Sequence, residues 1–175
     1  MSEYSRICWV ITGAGHFLAE TVDFLCGDLS FSVDLCFTRA GYEVSARYGQ
    51  AERIMARGFD KVCRETGYSS PGLIYFSGGR YDALVIAPAT SNTVSKCALG
   101  IADSLASNYF AQAGKSGTPI FVLPTDNERD ITSVTPSGRE IRVHARDIDL
   151  ERRECLSKFP GVTVLGSPEE FGVFL

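Results

Sequence analysis

The residues able to do chemistry gather where apolar runs give way to helical patterns. The run RICWVIT (6–12) leads into Gly13-Ala14-Gly15-His16, FSVDLCFT (31–38) into Arg39-Ala40-Gly41, and DALVIAPA (82–89) into Thr90-Ser91-Asn92-Thr93. Two glycines let a backbone approach an anion closely, and a following helix offers unpaired N–H groups at its positive end. The first junction is not the dinucleotide fingerprint, because G-x-G-x-x-G requires glycine where Leu18 stands. It suits a mononucleotide phosphate better than a pyrophosphate. The second junction offers a hydroxyl, Thr38, and a guanidinium, Arg39. At the third, one of Thr90, Ser91 or Asn92 suffices to cap a helix. The surplus polar groups there would satisfy the edge of a flat, polar heterocycle. Each junction has an ordinary reading, as a glycine turn, a capped helix or a surface loop. Together they favour a phosphate-bearing cofactor.

Those junctions need a scaffold of alternating strands and helices. The apolar runs at 6–12, 31–38, 82–89 and 118–124 read as strands, and GVTVLG (161–166) as a closing one. Leu18, Val22 and Leu25 share one helical face in HFLAETVDFLC. The stretch Val44–Arg57 reads as one helix. Val94, Ala98, Ile101, Ala102 and Leu105 predict another over Asn92–Leu105, with Gly100 in its middle. A last helix is expected over Arg146–Phe159. DITSVTPSGREIRVHA differs and reads as two strands around Pro136-Ser137-Gly138, an extra β-hairpin near 131–144. GYSSPG and FSGGR mark turns in the least regular segment, 58–80. The sum is an α/β fold: a doubly wound, Rossmann-like or flavodoxin-like parallel sheet with helices on both faces, in a single domain over 1–175. Ligands of such sheets lie beyond the carboxyl ends of the strands, where the three junctions fall.

Composition narrows the function. With 17 basic residues against 21 acidic, the net charge of −4 argues against a nucleic-acid binder. No apolar run approaches the roughly 20 residues that span a bilayer, and the N-terminus lacks the pattern of a signal peptide. The six cysteines are scattered without a C-x-x-C pair, so they read as small core hydrophobes rather than disulfides or ligands. Two histidines make a zinc site improbable, and no metal is expected. The chain reads as a cytoplasmic protein.

Pro88-Ala89-Thr90-Ser91-Asn92-Thr93, followed by Lys96 and by Gly100-Ile101-Ala102-Asp103-Ser104-Leu105, resembles the P-A-S-A-N-T…G-I-A-D-N-L signature of the flavoprotein superfamily, which includes flavin-containing cysteine decarboxylases and flavin prenyltransferases. Ile11-Thr12-Gly13-Ala14-Gly15-His16-Phe17-Leu18 is similar to its archaeal-type branch, that of the dihydromethanopterin reductases. Pro124-Thr125-Asp126, Thr135-Pro136-Ser137-Gly138-Arg139 and Arg146-Asp147-Ile148-Asp149 fit the same branch. The resemblance implies bound FMN. Its phosphate would rest on Gly13, Ala14, Gly15 and His16 with Thr38 and Arg39, and its ring against Ala89, Thr90, Ser91, Asn92 and Thr93. It also implies a homo-oligomer built on trimers, to which the 92–105 helix would contribute.

Departures from the family choose the chemistry. The decarboxylases use a histidine before the P-A-S-A-N-T strand and a P-x-M-N stretch. Here 58–80 holds no histidine, and Pro124-Thr125-Asp126-Asn127 stands in the other place. The prenyltransferases show an arginine near Thr125. What survives is redox use of FMN, with reduction of the C=N of dihydromethanopterin as the leading reading. Asp126 and His16 are the catalytic candidates, Asp126 as proton donor. Arg139 and Arg142 on the hairpin face either solvent or an acidic substrate tail, and His144 reads as a surface residue. The alternatives are an electron carrier between redox proteins, or a flavin-dependent decarboxylase or prenyltransferase. NAD(P)H as the electron source is left open.

Overall fold

A computed structural model describes residues 4–66 and 71–175. Its six-stranded parallel sheet is built from β1 (Arg6–Ile11), β2 (Ser32–Phe37), β3 (Lys61–Arg64), β4 (Ala83–Ala89), β5 (Ile120–Pro124) and, last in the chain, β8 (Val162–Val164). A separate antiparallel pair, β6 (Asp130–Val134) and β7 (Glu140–His144), forms the expected hairpin. The helices are α1 (Leu18–Cys26), α2 (Arg39–Arg47), α3 (Gln50–Arg57), α4 (Ile74–Ser77), α5 (Ser91–Ala98), α6 (Leu105–Lys115), α7 (Asp147–Leu156) and α8 (Phe171–Phe174).

Strand order is β3-β2-β1-β4-β5-β8. The chain winds outward from β1 in one direction, then returns to β4 and winds in the other. The crevice between β1 and β4 is therefore the switch point at which such sheets bind ligands. Alternation along the strands separates two cores. Ile7, Trp9 and Ile11 of β1 pack with Leu18, Val22 and Leu25 of α1 and with Phe171, while Cys8 and Val10 face Val94, Ala106, Tyr109 and Leu156 on the opposite side. Every residue of β4 is buried, as a strand covered by helices on both faces must be.

A fully buried charge sits within this frame. Asp34 of β2 is fully covered and accepts hydrogen bonds from Arg6 Nη1 at 2.8 Å, Arg80 Nη2 at 3.0 Å and Tyr81 Oη at 2.8 Å. Burial pushes its pKa up, but these three donors outweigh it and hold the carboxyl below the usual 3.8.

The structure corrects three expectations. The helix expected over 92–105 stops at Ala98. Gly100 has φ +73°, its N–H donates to the Cys97 carbonyl and that of Ile101 to the Lys96 carbonyl. This is a Schellman stop, for which a left-handed glycine is the usual residue. The chain restarts as α6, capped by Ser104 and Ser107. The helix expected over 44–57 is likewise two, broken at Tyr48-Gly49, where Gly49 has φ +68°. Apolar spacing alone does not register either break, because a left-handed glycine ends a helix without interrupting the apolar pattern. Cys36 and Cys63, expected as free core residues, are registered partners on β2 and β3 and form a disulfide. The turn expected at Gly67-Tyr68-Ser69-Ser70 lies outside the described residues.

Candidate functional site

The three junctions converge at the carboxyl ends of β1, β2 and β4. Thr12 fastens two of them together. Its hydroxyl donates to the Pro88 carbonyl at 2.8 Å and accepts the Thr90 N–H at 2.9 Å, so the loops after β1 and β4 keep a fixed spacing. Two glycines set how closely the elements approach. A Cβ on Gly13 would lie 2.6 Å from the Ala40 Cβ, and one on Gly15 would lie 2.2 Å from the Tyr48 hydroxyl. Glycine is therefore needed here for packing of the loop itself.

Two clefts open at the ends of these loops. The larger, about 620 Å³, lies among the loops after β1, β2 and β4 and is lined by Thr38, Arg39, Asn92, Thr93, Glu65 and Ser104, among others. The smaller, about 350 Å³, lies between Gly13–His16 and the hairpin. Its polar side holds His16, Ser91, Thr125 and Asp126, and Ile131, Ile141 and Val143 form an apolar wall. The clefts share Gly13 and Thr90.

Every expected site residue except Ala89 lines one cleft or the other. Ala89 is fully buried and serves through its carbonyl, which accepts the Thr125 N–H at 3.0 Å. Thr90 is the α5 cap, accepting the Thr93 N–H at 3.2 Å. The surplus polar groups partly satisfy one another, with Ser91 donating to Asp126 and the Thr93 hydroxyl lying 3.1 Å from that of Thr90. Asn92 remains exposed. Thr38 accepts the Gly41 N–H at 3.0 Å as the cap of α2. The Arg39 guanidinium is mostly exposed, 3.6 Å from Glu43.

Two residues invisible to sequence reasoning shape the site. Tyr48, inside the stretch read as a single helix, crosses Gly15 and donates its hydroxyl to the Val134 carbonyl at 3.0 Å, tying the hairpin to the glycine loop. Glu65 accepts the N–H of Arg39 at 3.0 Å and that of Leu105, capping α2 and α6 at once. Both depend on contacts between residues far apart in the chain.

Electrostatics divide the ionisable groups. Burial lowers the His16 pKa below the usual 6.5, against the opposite pull of Glu20 and Asp126. Asp126 accepts the Ser91 and Thr125 hydroxyls, both at Oδ2, so its bonds cast it as an acceptor. Arg142 lies on the hairpin face opposite the wall-forming residues, and Arg139 sits exposed at the turn. His144 is exposed and paired with Asp130. Among the described residues, no group of three or more His, Cys, Asp or Glu is placed to hold a metal ion, and no helix is long and apolar enough to cross a membrane.

A parallel α/β sheet with hydroxyl-rich, glycine-bearing loops at its switch point defines a mononucleotide-binding class of protein. The chain belongs to the Flavoprotein family, whose model matches residues 1–174. It is 42% identical to a dihydromethanopterin reductase (acceptor) of Methanosarcina mazei over 231 aligned positions, covering 95% of this chain and 97% of that one. Those positions outnumber the 175 residues here, so that relative carries segments this chain lacks. A reductase of the same name from Methanocaldococcus jannaschii is 39% identical over 138 positions, 73% of this chain and 56% of that one. The crystal structure of Burkholderia xenovorans DmrB in complex with FMN, described as a cubic protein cage for redox transfer, superposes with a TM-score of 0.85. It is 34% identical and covers 99% of this chain and 94% of DmrB.

Proposed function

We propose that this chain is a single FMN-binding unit that reduces the C=N bond of a dihydropterin, dihydromethanopterin in the leading case, to the tetrahydro form. The observation that carries the reading is the pair of clefts meeting at Gly13 and Thr90, which set a cofactor site beside a second site open to a small molecule. The similarity to reductases of that name and to the FMN complex of DmrB supports it.

The loop fits the cofactor by the chemistry of its donors. Among the described residues, no protein acceptor takes the N–H of Gly13, Gly15 or His16, and the loop ends at the N-terminus of α1. Such N–H groups suit a phosphate. Gly13, Ala14, Gly15, Thr38 and Arg39 would hold the phosphate and ribityl end, and Thr90 to Thr93 the ring, with Ala89 supporting them from below. When bound, FMN supplies hydride for the substrate carbon. His16 delivers the accompanying proton to the pterin nitrogen, and the hairpin wall keeps water from the ring. NAD(P)H or a redox protein feeds the site, and the assembly is a cytoplasmic homo-oligomer built on trimers.

Purified protein should be yellow and should release FMN on heating, and dihydropterin should reoxidise the reduced flavin. His16→Asn should lower kcat and flatten its pH profile while FMN content stays constant. A colourless protein that takes up no FMN would overturn the reading. The description of DmrB as a cage for redox transfer favours a second reading, an electron carrier. Reoxidation by a partner redox protein but not by dihydropterin would establish that one.

A further inference from the structure

The smaller cleft contains a carboxylate that the cofactor does not need. Asp126 follows β5, is half-buried, and is fixed by Ser91 from the start of α5 and by Thr125 at 3.1 Å. Both hydroxyls reach the same oxygen. Among the described residues, Oδ1 accepts no hydrogen bond and Asp126 makes no ion pair. The cations close enough to sense it are already engaged or only weakly charged. Arg146 is bonded to Asp149 through Nε at 2.9 Å and Nη2 at 2.8 Å, and His16 is made less basic by burial. The same cleft is lined by the hairpin face that carries Ile131, Ser133, Ile141 and Val143. An oriented carboxylate with one uncommitted oxygen, sharing a cleft of about 350 Å³ with a largely apolar hairpin face, is suited to a planar ring with N–H donors on one edge.

We infer that Asp126 is the specificity-determining residue of the substrate site and grips the amino-pyrimidinone edge of the pterin, its N3–H and 2-amino group. This rests on the dihydropterin reading of the preceding subsection. That edge offers two adjacent N–H donors in one plane, and the uncommitted Oδ1 accepts from the 2-amino group while Oδ2 stays with Ser91 and Thr125. A lumazine, the 2,4-dioxo analogue, has a carbonyl oxygen where the pterin has the amino group, so two acceptors would face each other. Discrimination follows from an unpaired polar group in a site built to bond it. Ser91 is a positioning residue, acting through Asp126. The hairpin face receives the ring face, and the edge that reacts lies away from Asp126, toward the larger cleft that shares Gly13 and Thr90.

The test uses the FMN-loaded protein and reads equilibrium binding of 6,7-dimethylpterin and 6,7-dimethyllumazine by fluorescence, without turnover. Wild type should prefer the pterin by about tenfold or more, the scale of one hydrogen bond to a charged group. Asp126→Asn should lose most of that preference by weakening pterin binding, with FMN content and melting temperature unchanged. Ser91→Ala should lose part of it. If Asp126→Asn does not stay folded and FMN-loaded, Asp126→Glu is the second variant, with a reduced preference expected. Equal binding of both ligands by wild type, or an undiminished preference in the folded Asp126 variant, would overturn the inference. Turnover of dihydropterin without an Asp126-dependent preference would sink this assignment and leave the proposed function standing. An Asp126-dependent preference without turnover would do the reverse.

Discussion

The contact between Tyr48 and the hairpin can be tested by Tyr48→Phe, which touches no group assigned to the chemistry. The Tyr48 hydroxyl donates to the Val134 carbonyl at 3.0 Å in an exposed setting. Such a bond contributes about 0.5–1 kcal/mol net, the lower half of the usual range. Tyr48→Phe should therefore raise the opening equilibrium of the β6–β7 hairpin about two- to fivefold. Hydrogen exchange read amide by amide is the assay. Amides pairing β6 with β7 should exchange faster by that factor, while those of β1 and β4 keep their rates. Gly15→Ala should reach the same end by another route. Its Cβ would stand 2.2 Å from the Tyr48 Oη and 2.4 Å from Cζ, so the ring must swing away from the loop. In a Tyr48→Ala background the same glycine change should add little, because the clashing group is gone. Unchanged hairpin exchange in Tyr48→Phe, or equal acceleration across the central sheet, would refute the idea that this residue ties hairpin to loop.

Three further outcomes follow from the frame. Gly41→Ala places a Cβ 2.1 Å from the Ile11 carbonyl oxygen, main chain of the central strand that cannot yield as a side chain would; stability should fall by about 2 kcal/mol or more in denaturant titration, and an unchanged midpoint would contradict it. Thr12→Val removes both the donor to the Pro88 carbonyl and the acceptor of the Thr90 N–H; a loss of about 1–3 kcal/mol and weaker retention of FMN are expected, and a variant equal to wild type in both would remove the fastening role. Asp34 has a lowered pKa in the folded chain, so its stabilisation is present above the ordinary value of 3.8 and is lost as pH falls through the folded value. Asp34→Asn should lower stability at neutral pH and flatten the acid limb below pH 4; an acid limb as steep as that of wild type would place the titration elsewhere.

Much of the scaffold was legible because local signals and tertiary structure agree. The apolar runs at 6–12, 31–38, 82–89 and 118–124 became β1, β2, β4 and β5, and the alternating stretch around Pro136-Ser137-Gly138 became the hairpin, whereas β3, Lys61–Arg64, has no such apolar signal. Where periodicity alone was used, it ran too far. Ile101 and Ala102 continue the apolar pattern of α5 yet are exposed, Ile101 at 43%, because the left-handed backbone of Gly100 ends the helix before them. The break at Gly49 had the same cause. The pairing of Cys36 with Cys63 was hidden for a different reason, since it depends on β3 lying beside β2, and the spacing of 27 residues does not reveal that register.

By itself the sequence determined which loops bring glycine, hydroxyl and amide residues to the ends of buried strands, because those are local facts. It determined the doubly wound sheet for the same reason, through runs too apolar to face water. Only the tertiary structure decided that these loops form two clefts and that the hairpin walls one of them. Tyr48 on Gly15, Ser91 on Asp126 and Thr12 between Pro88 and Thr90 all join distant segments. Such contacts exist only once the strands are in register, and that register is fixed by packing on both faces of the sheet.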